Sequence, residues 1–363
     1  RLLKCIRLNY VSPSFITEVL EKTEWVMNSP ECIDFIRERK SDSRTEKERI
    51  CDKAHRLIFS TGRVTHCEME EGDNRSEIQI YDPIRDVWTR GTIEKRPLVQ
   101  GNVISYGEKI YFLGAFNRQI SNREWADNLE DTGVEVYHTR KDRWLLLPPM
   151  HELREEHMSE VMNGRIYSAG GWDDVTVDTK SSFEAIDLSH PSPVWSPLNN
   201  MRRVRLRAAT CVLNGKLYVI GGSDEMDGEV WEDGECFDPE TNSWTIISPM
   251  NTWREQCAAA VLNGEIYLVG GWTKSVEKYS PEKDSWTTVA SMHTKRQSPK
   301  LVASCGKLYV CGGSDGGGTF VPVVECYNPT TDQWENKASM GAGGRRHHIC
   351  SLSIPADYPT PNH

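Results

Sequence analysis

AATCVLNGKLYVIGG (residues 208–222), then an acidic loop, then ECFDPETNSWTIISPMNTWR (residues 235–254) is the stretch whose reading decides the fold. Val212-Leu213 runs into Asn214-Gly215, and Leu217-Tyr218-Val219-Ile220 runs out toward Gly221-Gly222. An Asn-Gly pair between two apolar runs fits a two-residue type I′ turn, which needs positive φ at both central positions, so two strands pair here. Past the acidic loop, Glu235-Cys236-Phe237 reads as a third strand and Trp244-Thr245-Ile246-Ile247 as a fourth. Asp238-Pro239-Glu240-Thr241-Asn242 turns the chain between them, with proline pre-set at the second turn position. The product is a four-stranded antiparallel meander.

The same unit recurs along the chain. A glycine pair or its degenerate form starts at Gly62, Gly114, Gly170, Gly221, Gly270 and Gly312, and three residues before each stands Phe59, Tyr111, Tyr167, Tyr218, Tyr267 or Tyr309. A tryptophan closes each unit at Trp88, Trp144, Trp195, Trp244, Trp286 and Trp334, at spacings of 56, 51, 49, 42 and 48 residues. Insertions therefore fall in loops while the strands keep their order. Gly62-Arg63 and Gly114-Ala115 depart from the glycine pair. Glu94 replaces the methionine that stands six residues past every other unit tryptophan, so the first two units are expected to be the least regular.

This pattern resembles the kelch repeat, and the resemblance covers Leu57 to about Ser353. It implies an all-β fold, a six-bladed β-propeller spanning residues 57–353. The physics agrees, because a lone four-stranded sheet has two apolar faces and stacking around an axis buries both. The first unit has a second strand, Leu57-Ile58-Phe59, with no hairpin partner before it, and His348-Ile349-Cys350-Ser351-Leu352 is a strand with no unit after it. The expectation is that this C-terminal strand is the innermost strand of blade one and closes the ring, leaving residues 354–363 as a tail.

The rest of the chain is read around that array. Its 363 residues are 38% hydrophobic and 26% charged, enough for a large folded array and a small appendage. A net charge of −10 argues against a general affinity for nucleic acid or an anionic membrane. There is no apolar run of membrane-spanning length and no signal-peptide pattern. The 11 cysteines are odd in number and scattered without a CxxC pair, which fits reduced thiols and a cytoplasmic location. Residues 1–40 read as short helices, with Ser12-Pro13 and Ser29-Pro30 as cap-and-proline starts, and residues 41–56 as a charged linker. Opening on Arg1 without a methionine, the chain is read as a fragment of a longer protein, the fragment itself being monomeric.

Candidate function sits on one face. In an antiparallel meander the loops after the second and fourth strands share a side. Ten residues past the unit tryptophan come Arg154, Arg205, Arg254 and Arg296, with Arg96 two residues early and Arg345 one residue late in the outer units. Directly after the glycine pair come Phe116, Trp172, Ser223, Trp272 and Ser314, with Phe320 further along its loop. Guanidinium groups interleaved with aromatics have the composition of a peptide-binding hot spot. The competing reading is that each arginine ties its loop to a neighbouring blade through backbone carbonyls and that the aromatics pack between blades. The acidic loop Asp224, Glu225, Asp227, Glu229, Glu232 and Asp233 is read as solvated or, if functional, as favouring a ligand with Lys or Arg.

Catalytic signals are weak. His347-His348-x-Cys350 lies on a strand, where alternation points neighbours to opposite faces, and HELREEH (His151 to His157) lacks HExxH spacing. No nucleophile elbow, P-loop or dinucleotide fingerprint occurs, so neither an enzyme nor a cofactor or metal is expected. Leu2-Leu3-x-x-Ile6-Arg7-Leu8 with Ser29-Pro30-Glu31-Cys32 is similar to the end of the BACK domain in BTB-BACK-kelch proteins. That resemblance implies a substrate-recognition subunit of a ubiquitin ligase, joined to cullin-3 by a BTB domain absent from this chain; the second expectation is an actin-binding or cytoskeletal kelch scaffold.

Overall fold

The computed structural model describes residues 54–63, 76–83, 86–93, 101–114, 134–138, 143–152, 154–173, 175–317, 319–340 and 347–355. The helices expected in residues 1–40, Phe116 and Arg345 lie outside them. No helix occurs among the described residues.

The chain folds as an all-β propeller, and among the described residues its long strands form six four-stranded antiparallel sheets. Sheets two to six have as innermost strands Asn102–Tyr106, Met158–Met162, Ala209–Leu213, Cys257–Leu262 and Lys300–Ser304, each continuing outward in chain order. In sheet one the innermost strand is His347–Pro355, the last in the sequence, paired antiparallel with Ala54–Arg63 from Ala54↔Pro355 to Gly62↔His347. These six strands neighbour one another in a closed ring, His347–Pro355 lying between Lys300–Ser304 and Asn102–Tyr106. The ring therefore starts three residues before the expected boundary at 57 and ends two residues after 353.

The hairpin inference holds in detail. Asn214 and Gly215 take φ of 52° and 72°, and Asn163-Gly164 and Asn263-Gly264 repeat the turn with positive φ throughout. The glycine pair has a different reason. A Cβ on Gly221 would lie 2.3 Å from the Arg254 carbonyl oxygen, and one on Gly170 2.3 Å from that of Arg205. The chain entering the next sheet presses its carbonyl onto the pair, and the Gly222 and Gly171 amides donate to Arg254 O and Arg205 O at 2.8 Å.

The tryptophans fasten neighbouring sheets. Trp195 Nε1 donates to Pro148 O at 2.9 Å, Trp244 to Asn199 O, Trp286 to Ser248 O and Trp334 to Ala290 O at 2.8 Å, each carbonyl leaving the outermost strand of the preceding sheet. Trp88 Nε1 does the same across the closure, to Ala338 O at 2.9 Å. Trp244 also fills a seam with Phe183 and Tyr167 of sheet three and Phe237 of its own sheet. Trp244→Phe keeps a ring in that seam but deletes the N–H donor and some volume. It should lower unfolding free energy by about 1–2 kcal/mol in urea titrations, with an unchanged slope.

Candidate functional site

The loops after the second and fourth strands do share one face. In sheet three Glu155 bridges to Trp172, in sheet four Leu206 to Ser223, and in sheet six Gln297 to Ser314. After the glycine pairs of sheets three and four the chain adds small hairpins absent from the sequence reading, Trp172–Asp173 with Asp178–Thr179 and Ser223–Asp224 with Glu229–Val230.

The four arginines expected to grip a partner do not reach that surface. Arg154, Arg205, Arg254 and Arg296 are at most 2% exposed. Each donates through Nη1 to the first carbonyl of its own sheet's glycine pair: Gly170 at 2.9 Å, Gly221 at 2.8 Å, Gly270 at 2.7 Å and Gly312 at 2.8 Å. Each also pairs with a buried glutamate on the third strand of that sheet, Glu184 at 3.1 Å, Glu235 at 3.2 Å, Glu277 at 3.0 Å and Glu325 at 3.0 Å. A guanidinium so enclosed spends its donors within its own sheet, only Nε of Arg254 and of Arg296 lacking a partner among the described residues, so the tying role displaces the contact role. The signal that could have shown this is the glutamate at the second position of the third strands FEAID, GECFD, VEKYS and VECYN.

The remaining expected residues divide. Ser223 is buried, its hydroxyl donating to Glu255 Oε2 at 2.8 Å. Ser314 is half-buried with its hydroxyl 3.4 Å from Gln297 Oε1, and Phe320 packs against the cluster containing Tyr309, Val324 and Met340. Trp172 is half-buried. Trp272 is 39% exposed and holds φ at 67°, an unusual backbone for a bulky side chain. Beside its sheet's entry loop, Trp253 is 55% exposed; the sequence reading passed it over.

What lines the face at its centre is the position two residues past each buried arginine: Glu156, Arg207, Gln256 and Ser298. All four take left-handed φ of 50–56°. Arg207 N donates to Glu156 O at 3.0 Å, Gln256 N to Arg207 O at 2.8 Å and Ser298 N to Gln256 O at 2.9 Å, so a chain of main-chain hydrogen bonds runs around the rim from sheet to sheet. These residues line the mouth of a central channel of about 580 Å³. Its wall carries His157, Ser159, Glu160, Thr210, Cys257 and Lys300 from the innermost strands and their approaches. Burial raises the Glu160 carboxyl to about 7 against the pull of Lys300. At the mouth the Arg207 guanidinium meets Glu156, and Glu225 at 2.8 Å, with Glu255 at 3.9 Å. No cluster with metal-holding composition occurs among the described residues. The arrangement offers hydrogen bonds, charge and exposed aromatics for binding.

Comparison with known proteins gives a family and several partial relatives. The KLHDC2/KLHL20/DRC7 Kelch-repeats domain matches residues 156–355. Kelch-like protein 23 of Homo sapiens is 29% identical over 179 residues, covering 47% of this chain and 29% of that protein. Kelch-like protein 26 of Danio rerio is 28% identical, covering 48% of this chain and 28% of that protein. Alpha-scruin of Limulus polyphemus is 30% identical over 199 residues, 54% of this chain and 21% of that protein. The match thus spans less than a third of the length of each of these three relatives.

Proposed function

The chain belongs to the KLHDC2/KLHL20/DRC7 kelch-repeats domain family, and from that membership we propose that it is a non-enzymatic recognition module. In this reading a six-bladed propeller holds a segment of a partner protein on the face carrying the channel mouth. In the finer form of the reading, the propeller presents a substrate to a cullin-3 ubiquitin ligase in the cytoplasm. A BTB domain outside this sequence makes the cullin-3 link, and the residues similar to a BACK domain lie between the two.

The observation that carries the proposal is the outward display of Trp253 and Trp272 on the loop face, where aromatic surface has no stabilising role in the sheets. Capture of partners on immobilised chain, quantified for wild type and for Trp253→Ala with Trp272→Ala, tests it. The double variant should capture about tenfold less while its melting temperature moves by only about 3 °C, since hot-spot aromatics carry binding and exposed sites carry little stability. Undiminished capture would remove this face from the proposal. Co-sedimentation of the chain with filaments would favour the cytoskeletal scaffold instead.

A further inference from the structure

Two clusters over sheets three and four repeat one arrangement, a single cation among three carboxylates. Lys180 Nζ lies 3.1 Å from Asp173 Oδ2, 3.4 Å from Glu152 Oε2 and 3.6 Å from Asp178 Oδ1. Arg207 stands likewise among Glu156, Glu225 and Glu255. The Glu225 amide donates to Thr179 Oγ1 at 3.2 Å, so the clusters adjoin. Arg154 Nη2 also lies 3.7 Å from Glu152 Oε2 and pairs with Glu184, so seven carboxylates stand against three cations, an excess of negative charge that internal pairing does not cancel. Nearby Arg203 and Arg205 add no balance, because Asp233 pairs with both and Glu235 with Arg205. Asp227 and Glu229 extend the acidic surface along the exposed hairpin. The tips of the two hairpins are apolar: Val175, Val177 and Met226 are 54–62% exposed.

Two buried polar groups of the channel wall lack a hydrogen-bond partner among the described residues. His157 is buried and lines the channel, with Nδ1 3.0 Å from the Arg154 carbonyl. A carbonyl can only accept, so Nδ1 carries the proton and Nε2 presents a lone pair. Burial, aided by the charge of Arg154, pushes this imidazole down to about 3, so it stays neutral. Neither His157 Nε2 nor the Ser159 hydroxyl, buried in the same wall, has a hydrogen-bond partner among the described residues.

We infer that this mouth receives a basic, amphipathic segment of the partner: its apolar side chains rest on Val175, Val177 and Met226, and one lysine or arginine enters beside Glu156 and Glu255 toward His157 Nε2 and Ser159 Oγ. The inference rests on the recognition reading above and names the chemistry of what is recognised. Charge complementarity carries it, since an acidic segment would meet repulsion from the carboxylates over sheets three and four. Deeper in the wall burial holds the Glu160 carboxyl up to about 7 even beside Lys300, so the selecting negative charge is that of the rim.

The test passes a random synthetic dodecapeptide library over the immobilised full chain and sequences the retained pool. Lys and Arg should be enriched over Asp and Glu by about fivefold or more at low salt, and less at high salt, as rim charge interactions are screened. Glu225→Gln with Glu255→Gln should reduce that enrichment to below about twofold. If this pair does not fold, Asp227→Asn with Glu229→Gln at the exposed hairpin should lower it in the same direction. A retained pool without basic bias, or an enrichment that the variants leave unchanged, would overturn the inference and leave the recognition proposal standing. A chain that retains no peptide at all would overturn both.

Discussion

A chain ending at Arg346 should lose its cooperative melting transition, or melt about 15 °C or more below the full sequence. The missing strand, His347–Pro355, is no peripheral edge: it supplies the innermost strand of sheet one, paired along Ala54–Arg63. It is also the only innermost strand of the ring in the described residues that does not precede its own sheet in the sequence. Without it, sheet one retains Ala54–Arg63, Ser76–Asp82 and Val87–Ile93, and the innermost strands of sheets six and two lose the neighbour between them. In a linear stack that would unravel one end. In a ring it also releases the closure that holds every seam, because the first and last described strands meet in this one sheet. Circular dichroism melting of the truncated chain, with and without an added peptide of residues 347–363, checks it. Recovery of the transition by the peptide would show that backbone pairing supplies the lost stability. A truncated chain melting cooperatively at the full-length temperature would mean the closure is dispensable.

Why the closure was legible while the role of the arginines was not follows from the range of the interactions. Asn214-Gly215 dictates its own turn, and the unit tryptophans recur at fixed strand positions, so local chemistry and counting together yield the sheets and the odd strand left at each end. The arginines obey no such local rule. Ten residues past a tryptophan places Arg205 in an entry loop, where a charged side chain would ordinarily face water. Its direction is set instead by Gly221 O, Asp233 O and Glu235, which lie 16, 28 and 30 residues further on and meet only when sheet four has folded. The glutamate of the third strand was readable as a repeat, and pairing the two repeats would have exposed the tie. The rim residues Glu156, Arg207, Gln256 and Ser298 differ in chemistry from sheet to sheet. Their common property is a left-handed backbone, which side-chain identity does not announce outside Gly and Asn. Trp253 and Trp272 illustrate the same limit, since half of the chain's tryptophans stand at the repeated unit position and only the packed sheets separate exposed ones from buried ones.

Arg205→Ala should therefore cost stability before it costs binding, about 3–5 kcal/mol or roughly 10 °C in melting temperature. Its carbonyl is held by the Gly171 amide of sheet three at 2.8 Å, while its side chain is held by sheet four through Gly221 O at 2.8 Å, Asp233 O at 3.2 Å and Glu235 Oε1 at 3.2 Å. The residue is thus a rivet between neighbouring sheets. Truncation leaves Glu235, itself 0% exposed, as a buried carboxylate supported only by the Arg202 and Arg203 amides at 2.8 and 3.1 Å. That uncompensated charge, rather than the lost pair, is the larger part of the penalty. Arg205→Lys should recover only part, because a compact ammonium cannot reach two carbonyls and a carboxylate in the plane that the fork spans. Adding Glu235→Gln to Arg205→Ala should restore more than about 1 kcal/mol, a coupling that a double-mutant cycle in urea reads directly. Arg207→Ala, two residues on and half-buried at the mouth, should move stability by about 1 kcal/mol while changing what the mouth retains. If Arg205→Ala melted with the wild type yet lost partner capture, the buried guanidinium would have to leave its sheet to meet a ligand, and the arginines would return as the contact surface in place of the rim.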